Sequence, residues 1–236
     1  MNDDTVAALF ERGIARQRAG QHAAAIELFQ QALQRGGASA AVYCRLGESY
    51  ERLRDLQRAD DAYVAAIERE PEASEAYLRA SDLARRSSEL AARVGQAAAA
   101  RELRHGACQY LSALGVKLVG RRAWMEAESV FRRARALQPG DWAVHVDLGQ
   151  CLGQLMRHRA AEESIRQGIR LAPGKALAHY HLGLVLLRQG RASEAEAALR
   201  QAATLDPSDV QISAALADAA GALGRAGAED GPAQPG

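Results

Sequence analysis

The side chains best suited to chemistry are three cysteines and six histidines, and their spacing argues against catalysis. Cys44, Cys108 and Cys151 are odd in number and far apart. That gives neither a disulfide framework nor a zinc spacing. A cysteine nucleophile needs a positioned base, and nothing at local spacing supplies one for Cys44 or Cys151. All three read as reduced, partly buried small side chains. The histidines are His22, His105, His145, His158, His179 and His181. His179 and His181 are two apart, so on a helix they point to different sides and do not chelate one metal. HExxH, P-loop, dinucleotide-loop and nucleophile-elbow patterns do not occur. The expectation is no catalytic residue, no metal and no cofactor.

Composition narrows the partners. The chain has 236 residues, 48% hydrophobic and 25% charged, with a formal net charge of +1. No global field draws it to nucleic acid or an anionic membrane. Arginine pairs such as Arg85-Arg86 and Arg132-Arg133 lie among acids, and aromatics are only 5%, too few for the stacking that single-stranded RNA needs. The only lysines are Lys117 and Lys175, which with the abundant alanine suggests a GC-rich bacterial genome. Met1-Asn2-Asp3-Asp4 has neither the positive start nor the apolar run of a signal peptide. No apolar stretch approaches the roughly 20 residues that span a bilayer. A cytoplasmic location and no membrane insertion are expected.

The elements that position these side chains follow one period. Pro71, Pro139, Pro173 and Pro207 are separated by 68, 34 and 34 residues. Gly13, Gly47, Gly115, Gly149 and Gly183 keep the same period, with Ser81 and Ala217 as the small exceptions. Ala25, Ala59, Ala127, Ala161 and Ala195 form a second column, broken by Arg93. A mostly bulky column reads Phe29, Tyr63, Ala97, Phe131, Ile165 and Leu199. Helices that cross closely need small residues at the crossing and large ones beside it. Proline after a second helix stops it and introduces the next. One such unit leaves an apolar face open, and stacked neighbours bury it.

Unit 40–73 carries Tyr43, Leu46, Gly47, Tyr50, Ala59, Tyr63, Ala66 and Pro71. Unit 108–141 carries Leu111, Leu114, Gly115, Leu118, Ala127, Phe131, Ala134 and Pro139; unit 176–209 carries Leu182, Gly183, Gly190, Ala195, Leu199, Ala202 and Pro207. This pattern resembles the tetratricopeptide repeat (TPR). The resemblance implies an all-α fold, an α-solenoid in which antiparallel helix pairs wind into a right-handed superhelix over residues 1–224. Repeats are placed at 6–39, 40–73, 74–107, 108–141, 142–175 and 176–209. Val210, Ile212, Leu216, Ala220 and Leu223 then recur at helical spacing, which predicts a capping helix over 210–223. The segment 225–236, rich in Gly, Ala and Pro, is expected to be a disordered tail.

Two units depart from the pattern. Arg12 and Arg16 stand where the family places apolar residues, which suits a terminal repeat with one wet side. Unit 74–107 is degenerate: Arg93, Ala97 and His105 replace Ala, a bulky residue and Pro. Its second helix is expected near Ser88 to Arg104, closely but weakly packed, since Ala burial stabilises less than Phe or Leu burial. A hinge, a contact site and simple drift all fit this unit.

The resemblance implies a concave face lined by the first helix of each pair. Mapped onto this chain, the partner-binding candidates are Phe10, Ile14, Glu48, Arg52, Leu78, Asp82, Arg86, Val116, Val146, Gln150, Tyr180, Leu184, Leu187 and Arg188. The amino-terminal half is charged and the carboxy-terminal half mainly apolar. An apolar strip flanked by charge suits a helical or extended peptide; the competing reading is contact with the next repeat or the cap. Counted from each repeat start, the fifth and ninth positions hold no Lys, Arg or Asn, so the clamp that some members use for chaperone tails is not supported, while arginines at neighbouring positions leave acidic-peptide binding open. His145 and His179 share one packing position of adjacent repeats and read as interhelix fillers with a satisfied ring nitrogen. Asp147 and His181 share another and form a candidate ion pair, with a plain structural role as the alternative. The expected function is a scaffold or adaptor, co-chaperone-like, that holds another protein or peptide. A non-catalytic subunit presenting a substrate protein to an enzyme is the alternative, and self-association through end repeats a further expectation.

Overall fold

The computed structural model describes residues 5–229, with side chains described to residue 225. Twelve helices and no strand occur among the described residues. They are α1 (Val6–Arg18), α2 (His22–Gln34), α3 (Ala40–Arg52), α4 (Leu56–Arg69), α5 (Ser74–Arg93), α6 (Ala97–Gly120), α7 (Trp124–Leu137), α8 (Trp142–Gln154), α9 (His158–Leu171), α10 (Ala176–Arg188), α11 (Ala192–Leu205) and α12 (Val210–Glu229). The chain divides into two compact units: unit 1 ends at Leu114 and unit 2 begins at Gly115.

Within five pairs, one glycine meets one large side chain sixteen residues later. A Cβ on Gly47 would stand 2.7 Å from the Tyr63 ring; on Gly115, 2.5 Å from Phe131; on Gly183, 2.5 Å from Leu199. Hydrogen is therefore the only side chain that fits without displacing the ring or branch. Phe29, Tyr63, Phe131, Ile165 and Leu199 are all fully buried as a result. Close approach and dense filling are two sides of one contact.

The turns between paired helices keep the period as well. Gly20, Arg54, Arg122, Met156 and Gly190 all take a positive φ, between 59° and 74°. The turn needs a left-handed residue, and three non-glycine residues accept that strain. First helices are capped on the same register: the Oγ of Thr5, the Oγ of Ser39 and the Oδ1 of Asp141 accept backbone N–H groups from Ala8, Val42 and Ala143. Each satisfies a donor that the first turn leaves orphaned.

Residues 74–120 break this register. A turn near 88 and a second helix from Ser88 to Arg104 are not formed. Instead α5 runs on to Arg93, and the left-handed turn residue is Gly95, with φ 79°. The following helix then continues without interruption from Ala97 to Gly120. The cause is local. The stop residue of other repeats is His105 here, and the cap position is Ala107. With neither proline nor a capping oxygen, nothing ends the helix, and Ala97 to Ala100 favour it. The seven extra residues of α5 bury only the small Ser88 and Ala91. Backbones therefore come close, and the Ser88 hydroxyl donates to the Ala100 carbonyl at 2.7 Å. The carboxy-terminal helix also exceeds expectation. It covers Val210–Glu229, so residues 225–229 are helical where a tail was expected; the rest of that tail lies outside the described residues. No proline interrupts the alanine-rich run before residue 232. Asp209 caps its start by accepting the N–H of Gln211 at 2.7 Å.

In unit 2, ion pairs repeat with the helices. Glu128 receives Arg132 at 2.8 Å and Arg157 at 2.7 Å. Thirty-four residues on, Glu162 receives Arg166 at 2.8 Å and Arg191 at 2.6 Å. Each acid thus joins its own helix to the turn between the two helices of the next pair. The ring Nε2–H of His145 donates to the Pro139 carbonyl and that of His179 to the Pro173 carbonyl, both at 2.9 Å. A carbonyl cannot donate, so the proton sits on Nε2 in both.

Asp147 and His181 do not pair. Burial holds the His181 imidazole neutral, its pKa pushed down to about 4, with Arg188 adding to the effect. Burial, then Asp141, pushes the Asp147 carboxyl up to about 6. A carboxyl whose pKa is raised on folding binds more protons in the folded state. Stability therefore falls as pH rises from about 4 to about 6. Asp147→Asn is expected to raise stability at neutral pH by about 1–2 kcal/mol and to change it little near the acid end of that window. Urea unfolding at both pH values checks this. Gly47→Val drives two methyl groups into Tyr63 and is expected to cost about 1–3 kcal/mol. Gly106→Ala, helical with open space where the Cβ would go, is expected to gain about 0.5–1 kcal/mol in the same assay.

Candidate functional site

Unit 1 contains a polar cleft of about 710 Å³, the larger of the two built by predicted groove residues. Gln17 and Arg18 enter from α1, His22 from the start of α2, Glu48, Glu51 and Arg52 from α3, Arg54 from its turn, and Arg79 and Arg86 from α5. The two acids are already engaged. Glu48 takes Arg45 at 2.9 Å and Arg79 at 2.5 Å, and accepts the Gln17 amide at 3.2 Å. Glu51 accepts the Tyr63 hydroxyl at 2.6 Å and the Arg86 guanidinium. Arg18, Arg52 and Arg54 are exposed and make no ion pair among the described residues. The His22 Nδ1 is buried with no hydrogen-bond partner among the described residues. The cleft therefore carries uncompensated positive charge plus one unused ring nitrogen.

Unit 2 offers a smaller pocket of about 380 Å³. Gln150, Tyr180, Leu184 and Arg188 line it, with Leu177, His181 and Gln211. Its apolar side is partly spent inside the protein. Tyr180, Leu184 and Leu187 pack against a cluster of Leu199, Ala215 and Ala219, two of which belong to α12. Contact with the cap thus accounts for much of the apolar strip.

The structure treats the sequence-predicted residues unequally. Glu48, Arg52 and Arg86 meet in the unit 1 cleft, and Gln150, Tyr180, Leu184 and Arg188 in the unit 2 pocket. Phe10 and Ile14 are half-buried against the unit 1 core, with the Phe10 ring 5.9 Å from that of Phe29. Leu78 and Asp82 are half-buried outside the cleft, and Val116 is exposed outside the pocket. Val146 is a correction. It is wholly buried, its methyl occupying space beside Gly168, where a Cβ would stand 2.8 Å away. A small residue in the second helix lets the first lean in, so this position turns inward. His22, Arg54 and Arg79 were not foreseen. Arg54 lies in the turn and not on the helix face, and Arg79 reaches the cleft only through its length.

The three cysteines are buried and unpaired in disulfides. Burial pushes the Cys44 and Cys151 thiols up to about 12, with neighbouring acids adding to it, so both stay protonated. Among the described residues no cluster of three or more His, Cys, Asp or Glu could hold a metal ion, and no helix is long and apolar enough to cross a membrane.

A tetratricopeptide-repeat family model matches residues 10–59 and 152–210. No curated protein matches the sequence. Among solved structures, the assembly chaperone of RpL4 (Acl4) is similar over 97% of this chain and 100% of its own, at 16% identity and a TM-score of 0.53. YrrB, a TPR protein, is similar over 79% of this chain and 96% of its own, at 21% identity and a TM-score of 0.46. A thermophilic TPR protein of Thermus thermophilus is similar over 92% of this chain and 99% of its own, at 21% identity and a TM-score of 0.39. The packed pairs Gly13–Phe29 and Gly183–Leu199 lie within the matched stretches, and the chain carries tetratricopeptide repeats in both compact units.

Proposed function

We propose that this protein is a non-catalytic scaffold that holds a polypeptide partner, and that the unit 1 cleft docks an acidic segment of it. One observation carries this reading: Arg18, Arg52 and Arg54 converge on the cleft without acids, while both cleft acids are occupied. Arginine presents a fork that carboxylates fit, and three forks on one wall favour a run of Glu or Asp over a single ion. The aliphatic stems of the same arginines suit apolar residues between the acids. Location in the cytoplasm belongs to the same proposal.

The unit 2 pocket supports a weaker role, because its apolar wall is shared with α12. Its polar groups, Gln150, Arg188 and Gln211, suit backbone contacts of an extended peptide more than an apolar anchor.

The test uses a fluorescein-labelled decapeptide of alternating Glu and Leu, read by anisotropy at low salt. The double variant Arg18→Gln, Arg52→Gln is expected to weaken binding about tenfold, roughly 1.4 kcal/mol, with helix content and melting unchanged. Raising the salt should weaken the native protein and narrow the gap to the variant. The Gln-for-Glu peptide should bind neither. Equal affinity of native and variant protein places the docking surface elsewhere.

A further inference from the structure

A second cleft of unit 1, about 510 Å³, shares no lining residue with the first. It lies between α4, α5 and the first part of α6. Leu56, Leu83, Leu103 and Tyr110 form its apolar walls, and Asp60 and Glu102 supply its charge. It exists because α5 and α6 abandon the regular register there. The alanines and Gly106 of α6 leave space that a bulky repeat residue would fill.

Asp60 occupies the register position of Glu128 and Glu162, 68 and 102 residues earlier. Both of those acids are held by two arginines, one four residues on and one twenty-nine residues on. For Asp60 the corresponding residues are Val64 and Glu89. Glu89 is also out of place, because the longer α5 keeps it helical, paired with Arg85 at 2.6 Å. Asp60 is half-buried, and no hydrogen bond or ion pair reaches it among the described residues. The repeating clamp of unit 2 thus has an acid here and lacks its cation.

We propose that this cleft receives an arginine side chain from a partner polypeptide, its guanidinium on Asp60 and its stem along the leucines. The occupant follows from the molecule's own usage, since arginine fills this role at Glu128 and Glu162. A partly buried carboxylate without a partner is costly, and a guanidinium relieves that cost while its methylenes cover apolar wall. Tyr110 adds an aromatic surface of the kind that favours a cation. Burial, then Asp61, raises the Asp60 pKa, in keeping with the missing counter-charge. Arginine-bearing apolar segments are therefore a second partner class beside the acidic segment of the first cleft.

The full chain is titrated with acetyl-Leu-Arg-Leu-amide and with its citrulline counterpart, a neutral near-isostere, by amide chemical shifts. Saturable shifts are expected at Asp60, Ser87, Leu103 and Tyr110 with the arginine peptide. Binding at least fivefold weaker is expected with citrulline, and likewise with Asp60→Asn. Val64→Arg restores a cation one turn from Asp60, as at Glu128, and is expected to suppress binding to the same degree. The Arg18→Gln, Arg52→Gln variant should bind the arginine peptide as the native protein does. The proposal is overturned if these amides do not shift, if the two peptides bind alike, or if Asp60→Asn and Val64→Arg bind as the native chain. It is equally overturned if the same amides shift with protein concentration alone, which would make a second copy the occupant.

Discussion

A hydrogen atom on the first helix facing a full-sized side chain on the second is the contact on which everything else hangs. Gly13, Gly47, Gly115, Gly149 and Gly183 all provide it. Because the fit leaves no slack, the angle and register of each pair are set before any polar group is considered. The caps, left-handed turns and histidine-to-proline hydrogen bonds then fall on the same spacing, each satisfying backbone groups that this packing would otherwise leave orphaned. Polar features in this protein are consequences of an apolar geometry.

That order explains what was readable from residues alone. Repeating glycine, alanine and bulky columns revealed the paired helices, because close packing tolerates few substitutes. His145 and His179 were placed correctly for the same reason. The irregular stretch was recognised as irregular, but its path was missed. Its signs lay in the loss of two signals at once, His105 for proline and Ala107 for a capping hydroxyl or carboxylate. Taken singly each looked like drift; together they remove the helix end.

Surface residues were harder to place. Counting inward positions from each repeat start found Glu48, Arg52 and Arg86, and also found Val146, which is core. The count assumes that every repeat presents its first helix alike. Burial at this register differs between repeats: Cys44 and Val146 are core, whereas Phe10, Leu78 and Tyr180 are half-buried. Arg54 and Arg79 escaped it because a turn and a long flexible side chain do not obey a helical face rule. Ion pairing likewise depends on which acids are already taken, and spacing does not report that.

The excess length of α5 over the other first helices is seven residues, which at 3.6 residues per turn is nearly two whole turns. The repeat period is unbroken there, so nothing is inserted: the left-handed turn has slid from position 88 of the common register to Gly95. Because seven residues are nearly two turns, the tip of α5 returns to almost the same rotational phase, and Ser88 and Ala91 continue its buried stripe. A slide of one turn and a half would instead bring the tip to the opposite side of the helix.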